Sequence, residues 1–152
     1  MLALEGIPAF YIHSLLATEN DLERVEHTGR LRSINRSQWQ LDDLERKLAD
    51  PLSHHSKAFH ELTRLIAIRR KQSAFHPNAT QFTLHLGLQL FGFWRQSMRR
   101  DQSIFCIHNI SDEVQPVALS DINLIGTDHW QDLISGMKID DLSGSITLKP
   151  YQ

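Results

Sequence analysis

LALEGIPAFYIHSLL, residues 2–16, is a mainly apolar run interrupted by Gly6-Ile7-Pro8. Pro8 has no N–H to donate to a ladder, so the strand this run predicts begins after it, at Ala9-Phe10-Tyr11-Ile12. Unbroken apolar character suits a strand buried on both faces, as in a parallel sheet. Ala17–Arg36, which follows, is polar, mixes acids and bases, and contains a turn at Gly29. Connections beyond about 12–15 residues are uncommon and are usually functional or disordered.

Further along, Ser37 followed by Gln40 fits a capping box, after which Trp39, Leu41, Leu44 and Leu48 recur at helical spacing. Asp50-Pro51 is expected to stop that helix and start the next, with Asp50 as N-cap and Pro51 at the first helical position. In the second helix Leu52, His55, Phe59, Leu62 and Ile66 form one stripe. It closes on Arg69-Arg70-Lys71, which suits the negative end of the helix dipole. After Phe75 the pattern changes to short runs of β-formers separated by turn residues. The predicted strands are Gln81–Leu86, Leu90–Gln96, Ser103–Asn109, Gln115–Leu119 and Ser145–Tyr151, at intervals suited to an antiparallel sandwich or barrel. A domain boundary is therefore expected near residue 75, and the last strand runs to the end of the chain as if the β domain were cut in mid-element.

The whole chain has 152 residues, 41% hydrophobic and 22% charged, enough to bury a core without disulfide or metal. A complete (β/α)8 barrel needs about 250 residues and is excluded. The net charge of −2 and the scattered basic residues argue against a nucleic-acid surface. The sequence has no apolar stretch of membrane-spanning length, and MLALEGIPAF lacks the features of a signal peptide. Cys106, the single cysteine, forms no intrachain disulfide, so a soluble cytoplasmic protein is the expectation.

Nine histidines raise the question of a metal site. His54, His55 and His60 lack the i, i+4 pair that brings two imidazoles to one ion, and His60-Glu61-Leu62-Thr63-Arg64 puts Arg64 where a second ligand would be needed. Solvated or edge-of-core histidines explain them better. Cys106, inside Ile104-Phe105-Cys106-Ile107, reads as a buried hydrophobe rather than a nucleophile. Trp94 in Phe91-Gly92-Phe93-Trp94 suits a core strand better than a sugar-stacking platform, and the sequons at Asn35, Asn78 and Asn109 read as chance. More informative is the long polar loop, Gly29-Arg30-Leu31-Arg32-Ser33-Ile34-Asn35-Arg36, between a buried strand and a helix. In a parallel α/β barrel the active-site groups lie after the C-terminal ends of the strands. A guanidinium there offers a planar fork of donors to hydroxyls or a carboxylate. Chemistry alone leaves two readings of Arg36 level: such a ligand-holding group, or a neutraliser of Asp42 and Asp43.

These residues carry a resemblance. Gly6-Ile7-Pro8-Ala9-Phe10-Tyr11-Ile12 resembles the eighth barrel strand of glycoside hydrolase family 13, the α-amylase superfamily, with its G-x-P-x-x-Y pattern. The stretch from Leu65 to Phe75 resembles the last barrel helix running into the C-terminal β domain. Ala17-Thr18-Glu19-Asn20-Asp21, Gly29-Arg30, Ile34-Asn35-Arg36, the continuation His76–Gln81 and Phe91-Gly92-Phe93-Trp94-Arg95-Gln96 are similar to the sucrose phosphorylase-like subfamily, especially sugar phosphorylases acting on glucosylglycerate or sucrose-type donors.

The resemblance implies an α+β fragment: residues 1–75 the last strand, active-site loop and helices of a (β/α)8 TIM barrel, residues 76–152 most of an antiparallel β-sandwich. It implies retaining glucosyl transfer to inorganic phosphate, giving glucose 1-phosphate without metal or cofactor. The nucleophile, the acid/base and the stabilising carboxylate lie on earlier barrel strands, so this chain alone is expected to be inactive, its partner being the missing N-terminal barrel. Arg36, the arginine of the I-N-R motif, is the one residue carried over, as a group that holds the glucosyl unit. His13 stands where many relatives have glycine. Leu31-Arg32-Ser33 makes the Gly29-Arg30 to Ile34-Asn35-Arg36 spacing longer than in sucrose phosphorylases proper, which argues against sucrose as the donor. The alternatives are another glucosidase or glucosyltransferase of the superfamily, and a non-catalytic carbohydrate-binding β module.

Overall fold

A computed structural model describes residues 2–122 and 129–152. They fall into two compact units, Pro8–Ala67 and Ile68–Gln152, the latter including the N-terminal residues through Ile7.

The Pro8–Ala67 unit is helical. It holds α1 (Ile12–Leu15), α2 (Leu22–Thr28), a 3-10 turn (Leu31–Asn35), α3 (Leu41–Ala49) and most of α4 (His54–Arg70). The strand expected at Ala9–Ile12 is not formed. A strand needs a neighbour to take its ladder hydrogen bonds, and among the described residues this unit contains no other strand. Instead the Tyr11 carbonyl accepts from the N–H groups of Ser14 (3.0 Å) and Leu15 (3.1 Å), which starts a single helical turn.

Two helix starts differ from expectation for local reasons. α3 begins at Leu41 with Gln40 in the N-cap position, because the Ser37 hydroxyl donates to the Glu19 carbonyl (3.2 Å) instead of capping the helix. Asp50 terminates α3 and its carboxylate accepts from Leu52 N–H (2.9 Å), so Pro51 lies in a turn. Ser53 caps α4: its hydroxyl accepts from His55 N–H (3.2 Å) and its carbonyl from Lys57 N–H (3.1 Å). The apolar stripe behaves as its spacing predicts from His55 onward. His55 is buried and Phe59, Leu62 and Ile66 are half-buried, whereas Leu52 is exposed.

Among the described residues the second unit carries three antiparallel sheets. β1 (Thr80–Leu84), β2 (Leu90–Gln96) and β3 (Ser103–Asn109) form one in sequence order; β4 (Gln115–Ala118) pairs with β7 (Ser145–Leu148), and β5 (Trp130–Gln131) with β6 (Lys138–Ile139). β2 and β3 match their predicted limits, β1 and β4 lie within a residue or two of theirs, and β5 and β6 are too short to show an alternation. β7 ends at Leu148 rather than Tyr151. Pro150 cannot extend a ladder, and the following turn is tied back by Tyr151 N–H to the Ser111 carbonyl (3.2 Å).

Register explains how the sheet is covered. Phe82 is opposite Trp94, and Trp94 opposite Phe105, so the three rings make a cross-strand ladder with centroid spacings of 4.8 and 5.8 Å. Trp94 is thus packed between rings, as the core reading requires. On the same face Leu84, Leu90 and Ile107 pack on a buried cluster of Val117, Leu119, Ile122 and Leu148. The opposite face places Phe93, Arg95 and Cys106 in the interior. Arg95 is fully buried and donates to the carbonyls of Ala74 (3.2 Å) and His76 (3.0 Å), fastening the Ser73–Phe75 3-10 turn to β2. Arg69 donates to the carbonyls of Leu2, Gly6 (3.0 Å) and Phe75 (3.2 Å), which holds the N-terminal segment to this unit. Cys106 is a buried thiol whose pKa burial pushes up to about 12, as suits a packing residue. Asn109 is also buried, its amide donating to the carbonyls of Glu113 (2.6 Å) and Lys149 (2.9 Å).

Candidate functional site

The Ala17–Arg36 loop is ordered by hydrogen bonds of its own. Asp21 accepts from Arg24 N–H (2.9 Å) and so caps α2, and Gly29 ends that helix at φ +65°, donating its N–H to the Val25 carbonyl (2.8 Å). Earlier, α1 is closed by Ala17 at φ +49°, with Ala17 N–H to Ser14 (3.3 Å) and Thr18 N–H to His13 (2.8 Å). This is a Schellman ending in which alanine holds the position glycine usually takes.

The turn at Ala17 leads into a cleft of about 200 Å3 lined by Tyr11, His13, Ser14, Ala17, Thr18, Glu19, Asn20 and Asn35. Its lining is hydroxyl, amide, imidazole and carboxylate chemistry, suited to a small polar ligand. His13 Nδ1 lies 3.1 Å from the Thr18 hydroxyl, which accepts from the Trp39 indole N–H at 2.9 Å. Behind this, the His55 ring meets Trp39 edge-on with centroids 5.1 Å apart. His55 Nδ1 donates to the Leu16 carbonyl (2.8 Å), leaving Nε2 to face Lys47 Nζ at 3.5 Å. His54 lies 3.6 Å from the Glu19 carboxylate. His55 is therefore a satisfied core residue, and His54 and His13 flank the loop. Among the described residues no three His, Cys, Asp or Glu side chains are grouped to hold a metal ion.

Arg36 lies at the end of the 3-10 turn, exposed, with its N–H donating to the Ser33 carbonyl (3.1 Å). Asp43 pairs with Arg46, and among the described residues neither Asp42 nor Asp43 meets Arg36. Its sequence neighbour Asn35 lines the cleft, and Arg36 itself is not among the lining residues. Sequence reasoning missed Thr18, Trp39 and Arg24 as the groups that tie this loop together. Trp39 read as helix stripe, and the indole donor was the signal that a buried partner was needed.

No protein-family model matches the chain. It is similar to curated glucosylglycerate phosphorylases. That of Escherichia coli K12 is 33% identical over 154 residues, covering all of this chain and 26% of the relative. That of Allomeiothermus silvanus is 35% identical over 152 residues, all of this chain and 24% of the relative. That of Spirochaeta thermophila is 38% identical over 111 residues, 73% of this chain and 19% of the relative. The chain therefore spans about a quarter or less of the length of the curated relatives it matches, in their C-terminal part.

Proposed function

From its similarity to the C-terminal part of the glucosylglycerate phosphorylases we propose that the chain is a portion of a sugar phosphorylase that transfers a glucosyl unit to inorganic phosphate. Similarity along the whole chain to proteins of that name carries this reading. The reading places residues 1–75 at the end of a (β/α)8 barrel of the α-amylase superfamily and 76–152 in its β-sandwich C-terminal domain, in a cytoplasmic enzyme. The β1–β3 sheet packed on the β4 and β7 cluster is consistent with the second half.

The chemistry is double displacement with retention. A carboxylate outside this chain attacks the anomeric carbon as a carboxylic acid protonates the leaving oxygen. Phosphate then displaces the enzyme carboxylate to give α-glucose 1-phosphate. Arg36 holds the glucosyl unit: its planar donors match a pair of sugar hydroxyls, and an exposed arginine that follows the cleft-lining Asn35 and makes no ion pair among the described residues supports that role. Glucosylglycerate is the favoured donor, because the relatives carry that name and the Leu31-Arg32-Ser33 spacing argues against sucrose.

Nucleophile and acid are both absent from this chain under the reading. The isolated chain of 152 residues, incubated with glucosylglycerate and phosphate, is expected to release no glucose 1-phosphate. Release above a protein-free blank would overturn the assignment of catalysis to the preceding segment.

A further inference from the structure

The three consecutive carbonyls of Ile34, Asn35 and Arg36 are each held by a different donor. Asp21 N–H donates to Ile34 (2.7 Å), the Tyr11 hydroxyl to Asn35 (2.8 Å), and the Arg24 guanidinium to Arg36 (3.0 Å). An exposed loop peptide normally takes these bonds from water, which fixes nothing; here all three come from the protein. From this we propose that Tyr11 and Arg24 are positioning residues that aim the Arg36 guanidinium. The inference rests on the reading of Arg36 as the group that holds the glucosyl unit.

The donors are themselves anchored. Asp21 supplies the N–H that holds Ile34 and, through its carboxylate, caps the helix that carries Arg24. The Thr28 hydroxyl donates to the Arg24 carbonyl (2.6 Å), which steadies the same turn. Tyr11 comes from the start of the unit, 24 residues before its acceptor, so its bond ties the segment that precedes α1 to the far end of the loop. A guanidinium has several rotatable bonds above its Cα, and fixing the peptides on both sides of that Cα removes the backbone share of its wandering. Arg24 offers a charged donor to the Arg36 carbonyl, a stronger bond than a neutral one. Neither residue is assigned contact with the sugar.

The test uses the full-length enzyme with glucosylglycerate and phosphate. Tyr11→Phe removes only a hydroxyl, and Arg24→Met removes only the guanidinium; Arg36→Ala removes the group they aim. Each of the first two is expected to lower kcat/KM for the glucosyl donor by roughly 3–10-fold, the range one net hydrogen bond supplies. Arg24→Lys, which keeps a charged donor, should recover part of the loss. In an Arg36→Ala background Tyr11→Phe and Arg24→Met should cost nothing further, because there is no guanidinium left to aim. If the same losses recur in that background, the positioning role is wrong while the reading of Arg36 stands. If Tyr11→Phe and Arg24→Met are silent in the parent, the positioning role is also wrong. Undiminished turnover in Arg36→Ala would overturn both.

Discussion

Ala17 carries the clearest local cost in the cleft. Its φ of +49° lies in the left-handed region, where a β-carbon is crowded, and the residue is held there by the closing bonds of α1. Ala17→Gly should raise stability by about 1 kcal/mol, read as a shift in urea midpoint, because the native conformation is strained for alanine and not for glycine. An unchanged or lower midpoint would mean that the turn is not built as described. His108 belongs to the same scale. It sits against Phe91 and Phe93 with centroids 6.1 and 5.9 Å away, and burial lowers its pKa. The unfolded imidazole binds a proton more readily than the folded one, so the contribution of His108 is complete above the unfolded value near 6.5 and is lost as pH falls toward the lower folded value. Stability should drop on acidification from pH 7.5 to 5.5, and His108→Gln should flatten that drop; equal slopes in the two proteins would contradict the burial of the ring.

Among the elements, legibility followed where the hydrogen bonds go. β2 and β3 have both pattern and neighbours, since Gly92, Phe93 and Trp94 face Ile107, Cys106 and Phe105 across the ladder, and their limits were readable. The Ala9–Ile12 run has the pattern without a neighbour, and it turns into a helix start instead. Ser37 shows the same competition at a single hydroxyl: its sequence context fits a cap, but the Glu19 carbonyl 18 positions away takes the bond, an event that no local pattern encodes. At the candidate site Arg36 was singled out by its motif as the proposed ligand-holding group. Arg24 was not, because a side chain that reaches a backbone carbonyl 12 positions away has no periodic signature.

At the scale of the whole molecule the exposed apolar residues matter most. Ile7, Leu31 and Leu52 are 82%, 81% and 80% exposed, and α3 has no buried residue although Leu41, Leu44 and Leu48 share its apolar stripe. The curated relatives are about four times as long, so such surface is where the remainder of a larger protein would pack. The isolated chain should therefore self-associate, eluting in size exclusion well above its 17.6 kDa; a clean monomer with a cooperative melt would count against the fragment reading. The most direct measurement is made on the full-length polypeptide that contains this chain, with product formation from glucosylglycerate followed with and without inorganic phosphate. The account predicts phosphate-dependent release of α-glucose 1-phosphate. Free glucose released at the same rate without phosphate would contradict it.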